Sequence, residues 1–275
     1  MLTAGKFAIF ENQNIIYLME FALITGAASG MGRIYALRLS EAGFGVVAVD
    51  RDRERLERLG VEIGEVFIPI VQDLSEPDAA AKVRRAFEEA APDGAVAVLI
   101  NNAGFIFTTE IAATDPAKLQ AMMAVHCTTP LLLCREFVPG MKAAGRGYVL
   151  NISSVCAWMD WPAIGMYGNT KRFVKGYSRS LRLECRGSGV SVTTAIFGAV
   201  DTPLFGFSEK ARRWMRRLGL MITPEKAVDK ALRGMFHRRA QVIPGFGNLL
   251  LIPLLPLLGD RLISRAYRKF GKYLR

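Results

Sequence analysis

Phe21-Ala22-Leu23-Ile24-Thr25-Gly26-Ala27-Ala28-Ser29-Gly30-Met31-Gly32 decides how this chain folds. The apolar run at its start predicts a buried strand, and the glycines break that strand before a helical stretch opens with Arg33-Ile34-Tyr35-Ala36. Glycine lets the backbone turn sharply and come close to a ligand, while a helix N-terminus offers unpaired N–H groups and the positive end of a dipole. Strand, glycine turn and helix in this order predict a cradle for a pyrophosphate, with Gly26, Ser29, Gly30, Met31 and Gly32 as its candidate contacts. The next apolar run closes on Asp50, 18 residues beyond Gly32. A carboxylate there can accept both hydroxyls of an adenosine ribose and would repel a 2′-phosphate, so NAD is the expected dinucleotide. Arg51 follows at once and is suited to pair with such a phosphate, which keeps NADP as the alternative.

Working outward, short apolar runs alternate with longer helical stretches. Strands are predicted over 21–25, 46–49, 66–71, 96–100, 148–152, 190–196 and 241–243. Helices are predicted over 31–42, 53–59, 77–90, 116–144, 164–186, 209–218 and 224–236. Parallel strands need such crossovers, and right-handed ones stack helices on both faces of the sheet. The expected fold class is therefore α/β, a doubly wound parallel sheet in a three-layer αβα sandwich, over residues 19–243. A C-terminal extension follows over 244–275. For residues 1–18 two readings stand side by side: an extension outside the fold, and an N-terminal strand over 7–10. With 275 residues, 51% hydrophobic, 22% charged and 26 glycines, the composition fits one such domain and excludes disorder, coiled coil and collagen.

Three further motifs stand at fixed intervals: Asn101-Asn102-Ala103-Gly104 after the fourth predicted strand, Ser154 after the fifth, and Tyr167-x-x-x-Lys171 thirteen residues on. Tyr167 and Lys171, four apart, share one face of a helix. An ammonium beside a phenol stabilises the phenolate and is expected to lower the tyrosine pKa toward the range of a general acid/base. Ser154, on a loop, can orient and polarise a substrate oxygen. With the glycine turn, these residues resemble the compact, single-domain short-chain dehydrogenase/reductases over roughly residues 20–240. The resemblance implies a Rossmann fold, NAD(P)-dependent hydride transfer between a secondary alcohol and a carbonyl, and a homodimer or homotetramer. It gives Lys171 a second role on the nicotinamide ribose and adds Asp73 and Leu74 near the adenine, Asn102, Ala103 and Gly104 along the ribose, and Val200 and Thr202 at the carboxamide.

Two positions depart from the family pattern. Phe197-Gly198 stands where Pro-Gly is usual, and His126 stands where an asparagine distorts a helix so that its main-chain carbonyl holds a water beside the catalytic lysine. Pro130, four residues after His126, has no N–H and should itself free that carbonyl and kink the helix. His126 is thus a candidate catalytic residue, either as a titrating relay or as a buried histidine without catalytic work.

Four cysteines without a C-x-x-C pair and two histidines make no recognisable zinc site, so no metal is expected. The first apolar stretch is interrupted by Glu11, Asn12, Gln13 and Asn14, and no small-residue cleavage site follows, so a cytoplasmic location, with peripheral membrane contact as an addition, is the expectation. Cys156, Trp158, Met159, Trp161, Pro162, Phe205, Phe207, Trp214 and Met215 predict a lipophilic small-molecule substrate or, equally, a subunit interface. Charge is uneven: residues 1–201 carry 20 basic and 21 acidic side chains, residues 202–275 carry 16 and 4. A near-neutral body argues against a nucleic-acid partner. Residues 242–258 are almost wholly apolar but hold Pro244, Pro253 and Pro256 and are short for a span. Arg261, Arg265, Arg268, Lys272 and Arg275 then recur on one helical face opposite Ile263, Ala266, Phe270 and Tyr273. This composition predicts either peripheral contact with an anionic membrane or a docked helix with a solvated charged face. A catalytically silent dinucleotide-binding protein and a membrane-surface interaction protein remain the alternatives to an enzyme.

Overall fold

The computed structural model describes residues 6–11, 14–64, 66–201 and 209–270. The strand expected over 21–25 is the second half of a longer one, β2 (Asn14–Thr25). Its first half pairs antiparallel with β1 (Lys6–Glu11), with Lys6 opposite Met19 and Glu11 opposite Asn14. Residues 6–11 and 14–18 therefore form an antiparallel two-stranded arm on the strand that carries the glycine turn.

The chain continues through α1 (Gly30–Glu41), β3 (Gly45–Asp50), α2 (Arg53–Ile63), β4 (Phe67–Val71), α3 (Ala79–Ala90) and β5 (Ala95–Asn101). Then come α4 (Pro116–Met123), α5 (Thr129–Ala143), β6 (Gly147–Ser154), α6 (Gly165–Glu184), β7 (Val190–Phe197) and β8 (Ala199–Val200). The last elements are α7 (Glu209–Arg217), β9 (Met221–Ile222), α8 (Pro224–Phe236), β10 (Gln241–Val242), α9 (Phe246–Leu251) and α10 (Asp260–Phe270). Seven strands form one sheet in the order β10-β7-β6-β5-β2-β3-β4, and every neighbouring pair on that path is parallel. The order reverses at β2, which opens the crevice at the C-terminal strand ends where such sheets bind ligands.

Both faces of the sheet are covered, so its central strands are apolar on both sides. Alternation along β2 sends Ala22 and Ile24 into a cluster with Tyr35, Leu39, Val46 and Ala231, and Phe21 and Leu23 into another with Val47, Phe87, Leu99 and Phe137. These two clusters hold the strand ends, and hence the site, in place.

The structure corrects the sequence reading at three places. The helix expected over 116–144 is divided by a π-helical turn, Ala124–Thr128, between α4 and α5. Pro130 cannot donate to His126, and the Thr129 N–H reaches back five residues to the Ala124 carbonyl. β8 and β9 pair with each other outside the main sheet, which two-residue strands do not announce in sequence. The apolar run after β10 becomes the short α9 and a 3-10 turn, Ile252–Leu257, in which Pro253 and Pro256 withhold the N–H groups a longer α-helix would need.

Candidate active site

The glycine turn sits at the C-terminal end of β2, held by Gly26 and Ala27 N–H groups on the Val49 carbonyl. Gly26 (φ +66°) and Gly30 (φ +54°) adopt left-handed backbone, where a side chain would be strained. A Cβ on Gly32 would lie 1.8 Å from the Gly26 carbonyl oxygen, so only glycine lets α1 close onto the turn. Around Gly30 a Cβ would meet nothing within 4 Å, and Ser29 makes no side-chain cap on α1. The open space and the uncapped first turn of a helix fit the pyrophosphate of a dinucleotide. Asp50 edges this cradle: one oxygen accepts from the Ala28 N–H (3.0 Å) and the other from the Asp52 N–H (3.1 Å). A carboxylate offers about four acceptor positions, so it retains capacity for ribose hydroxyls. Arg51 is 79% exposed and lies 3.8 Å from Asp73.

Asp73 and Leu74 line the same edge. The Asp73 carboxylate accepts from the Ser75 N–H and hydroxyl, and although burial works to raise its pKa, these bonds and Arg51 hold it below the usual range. The Leu74 carbonyl accepts from the Thr129 hydroxyl at 2.8 Å. A residue the sequence reading did not single out, Thr25, ties the cradle to the loop after β5: its hydroxyl accepts the N–H groups of Asn102 and Ala103, each at 3.0 Å. Asn102 returns the contact, donating from Nδ2 to the Thr25 carbonyl at 2.9 Å. Val200 lies buried in β8; Thr202, Phe205 and Phe207 lie outside the described residues.

Ser154, Tyr167 and Lys171 are brought together by β6 and α6. The Ser154 hydroxyl accepts the Cys156 N–H at 3.2 Å and lies close enough to the Tyr167 phenol to favour its ionised form. Lys171 is 5% exposed, donates to the Ile152 carbonyl at 3.1 Å, and lies 5.6 Å from the centre of the Tyr167 ring. Ser153, by contrast, turns under α6 and donates to the Lys171 carbonyl, so of the two it is Ser154 whose hydroxyl acts on the tyrosine phenol. Electrostatics differ from the sequence expectation. Burial pushes the Tyr167 phenol well above its ordinary pKa, the neighbouring Cys156 adds to this, and the Ser154 hydroxyl opposes it. Burial also pushes Lys171 down to about 8. The tyrosine is therefore held as the neutral phenol, and the lysine charge is the more labile of the two.

His126 lies in the π turn, fully buried, with both ring nitrogens engaged. Nε2 accepts the Phe105 N–H (3.0 Å), and Nδ1 meets the Thr170 hydroxyl (2.9 Å), which itself donates to the Tyr167 carbonyl (2.7 Å). The Nδ1–H tautomer satisfies all three bonds. Desolvation, with help from Lys171, drives the imidazole pKa down to about 2, so it is neutral across the working range. Gly104 makes room for the ring: a Cβ there would lie 3.0 Å from Nε2. Below the site, Asn101 donates to Asn151 Oδ1 (2.8 Å) and Asn151 donates to Ser178 (2.9 Å), joining β5, β6 and α6 through buried side chains. Thr170, Asn151 and Ser178 were not legible as site residues, since single polar residues inside apolar periods carry no spacing signal. Among the described residues no cluster of histidine, cysteine and carboxylate side chains could hold a metal ion.

Comparison with known proteins gives a consistent answer. Residues 20–213 match the family model described as short chain dehydrogenase. The chain is 35% identical over 181 residues to a serine 3-dehydrogenase of Agrobacterium fabrum, covering 66% of this chain and 72% of that protein. A solved structure of a 7beta-hydroxysteroid dehydrogenase superposes with TM-score 0.78 at 27% identity, covering 92% of this chain and 97% of that one. A short-chain dehydrogenase from Sphingobium yanoikuyae in complex with NADPH superposes at 0.72 with 28% identity, covering 90% and 96%.

Proposed function

This chain belongs to the short-chain dehydrogenase family and is an NAD(P)-dependent oxidoreductase acting on a CH–OH group; from that premise we propose how its own residues divide the work. Tyr167 moves the proton, giving it to a carbonyl oxygen in reduction and, as phenolate, taking it from the alcohol in oxidation. Ser154, with its oxygen fixed by the Cys156 N–H, orients the substrate oxygen toward the phenol. Lys171, while charged, opposes the effect of burial on Tyr167 and reaches the nicotinamide ribose. His126 is a positioning residue: through Thr170 it holds the backbone at Tyr167, and through Phe105 it holds the loop after β5. Gly26, Ser29, Gly30, Met31, Gly32, Asp73, Leu74, Asn102, Ala103, Gly104, Val200 and Thr202 would hold the dinucleotide, which when bound supplies or accepts the hydride. The observation that carries this reading is the convergence of Ser154, its hydroxyl fixed by the Cys156 N–H, with Tyr167 and the buried Lys171, whose Nζ lies 5.6 Å from the centre of the tyrosine ring.

NAD is the favoured cofactor, because the Asp50 carboxylate is pinned at the cradle's edge while Arg51 points largely to solvent. The substrate is a lipophilic alcohol or carbonyl compound. Supporting this, Phe105 packs at 5.5 Å from the His126 ring and 6.4 Å from Phe107, and Trp161 lies 6.4 Å from Tyr267, so aromatic rings edge the loops that follow β5 and β6. A homodimer or homotetramer would cover Leu131, Leu132 and Phe173, exposed on α5 and α6.

The test is Tyr167→Phe, which removes the transferable proton and keeps the ring. Turnover followed by nicotinamide absorbance should fall at least about a hundredfold while dinucleotide binding is retained. Turnover close to that of the unaltered enzyme, under conditions where chemistry limits the rate, would remove Tyr167 from the mechanism. Titrating both dinucleotides by fluorescence tests the cofactor reading, and tighter binding of NADPH would transfer control from Asp50 to Arg51.

A further inference from the structure

Most apolar surface of this protein is buried, but the segment from α7 to α10 reverses the pattern. Phe246 is 67% exposed, Leu250 66% and Leu257 77%, and Leu249, Leu254 and Leu262 are exposed beside them. Trp214 and Leu218 extend the same surface. The place a Cβ would take on Gly219 is filled by the Phe246 ring and the Gly247 backbone, so the end of α7 packs directly on α9. On its inner side the segment is firmly attached. Asn248 is buried, donates to the Pro244 carbonyl and fills the space beside Gly198; Leu255 is buried; Tyr267 donates to Glu110 at 2.8 Å and packs its ring against Trp161. The outward leucines are therefore not held out by poor packing of the segment. They have no apolar neighbour on that side among the described residues.

Basic residues flank this surface at both ends. Arg213 and Arg217 on α7, and Arg261, Arg265 and Arg268 on α10, are exposed. No single helix among the described residues is long and apolar enough to cross a membrane, and Phe246–Leu257 meets Asp260–Lys269 at a bend of 111°. An apolar surface flanked by arginines, on a segment bent sharply between its two helical parts, suits the plane of a bilayer interface. A second copy related by a two-fold axis would instead bring an arginine-rich patch against itself.

We propose that the α7–α10 surface docks this enzyme onto an anionic phospholipid bilayer, with its leucines, Phe246 and Trp214 at the acyl boundary and its arginines among the headgroups. Docking in this pose brings the loops that carry Glu110 and Trp161 to the lipid surface. Supply of a lipophilic substrate from the bilayer then follows, a step that rests on the substrate reading above, whereas docking does not.

The full chain is tested by co-sedimentation, without substrate, on vesicles of phosphatidylcholine alone and of phosphatidylcholine with phosphatidylserine. Binding should be at least about tenfold tighter on the anionic vesicles and should weaken as salt rises. The triple variants Leu249→Ser/Leu250→Ser/Leu257→Ser and Arg261→Gln/Arg265→Gln/Arg268→Gln should each lose about tenfold in binding with thermal unfolding unchanged. If a triple variant fails to fold, Leu257→Ser alone and quenching of Trp214 by brominated lipid, lost in Trp214→Phe, read the same contact. Folded protein that ignores both vesicles, or binding indifferent to salt and to the arginines, overturns the proposal. So does a fall in oligomeric mass by light scattering when the leucines are replaced, which would assign the surface to a second copy.

Discussion

β6 and the segment Phe246–Leu257 are both rich in apolar residues, yet they use them in opposite ways. In β6 every residue except Tyr148 is buried, and that includes Asn151, Ser153 and Ser154, whose polar groups find partners on α6, on β5 and in the following turn. In Phe246–Leu257 a phenylalanine and several leucines face outward, while the polar Asn248 is buried. Hydropathy alone would rank the second segment as the better core. Burial is decided by what lies opposite: β6 has helices on both faces of its sheet, whereas the C-terminal segment covers the molecule on one side only.

The largest difference between the two regions should appear on removing one leucine from each. Leu150, fully buried in β6, should cost about 2–5 kcal/mol on replacement by alanine, from lost burial and the cavity left behind. Leu250→Ala, on the exposed face of α9, should stay within about 0.5 kcal/mol. Denaturant unfolding of both variants measures this, and equal losses would mean that the C-terminal segment is core after all.

A smaller effect is expected in the polar layer beneath the site. Asn151→Ala removes the partner that Asn101 and Ser178 share, leaving Asn101 its longer contacts with the Pro130 carbonyl and Cys134 and Ser178 its bond to the Val174 carbonyl; losing two buried hydrogen bonds should cost about 1–3 kcal/mol. Thermal unfolding should register the loss, and KM should move less than kcat because the network lies under α6 rather than in the substrate opening. An exposed polar change on α10, Arg265→Gln, should leave both stability and kcat unaltered.

His126 gives the comparison a pH axis. Its folded pKa, about 2, lies below the ordinary 6.5 because desolvation and Lys171 oppose its charge. Below pH 6.5 the unfolded chain takes up a proton that the folded chain refuses, so this group's contribution to stability is full above pH 6.5 and is lost as pH falls toward 2. The slope is about 1.4 kcal/mol per pH unit for one proton. Replacing His126 by asparagine should flatten the stability profile between pH 6 and about 4 by roughly that slope. An unchanged profile would show that the imidazole is charged in the folded enzyme.

The smallest expected shift concerns Lys171, whose pKa near 8 makes its charge depend on ordinary assay conditions. Oxidation needs the tyrosine as phenolate, so loss of the lysine charge as pH rises through 8 should bend the alkaline limb of kcat/KM by a few-fold at most over one pH unit. A pH–rate profile flat from 7 to 9 would contradict this.

Much of the fold and part of the site are local in origin. The glycine turn between strand and helix around Thr25–Gly32, the short apolar runs behind the seven strands, and the four-residue Tyr167–Lys171 interval are short-range features, and such local geometry is written directly in sequence. Pro130 likewise announced a disturbed helix, since a missing N–H is a local fact, although its resolution as a π turn depended on the Thr129 N–H finding the Ala124 carbonyl. Tertiary structure alone decided the remainder. Only the fold brings Thr25 against Asn102, Asn101 against Asn151, and His126 between Phe105 and Thr170, each across more than twenty residues of chain. Only the fold settles which apolar segment is enclosed, and with it the charge states of Tyr167, Lys171 and His126, because desolvation is set by the atoms that surround a group and a linear spacing carries no record of them.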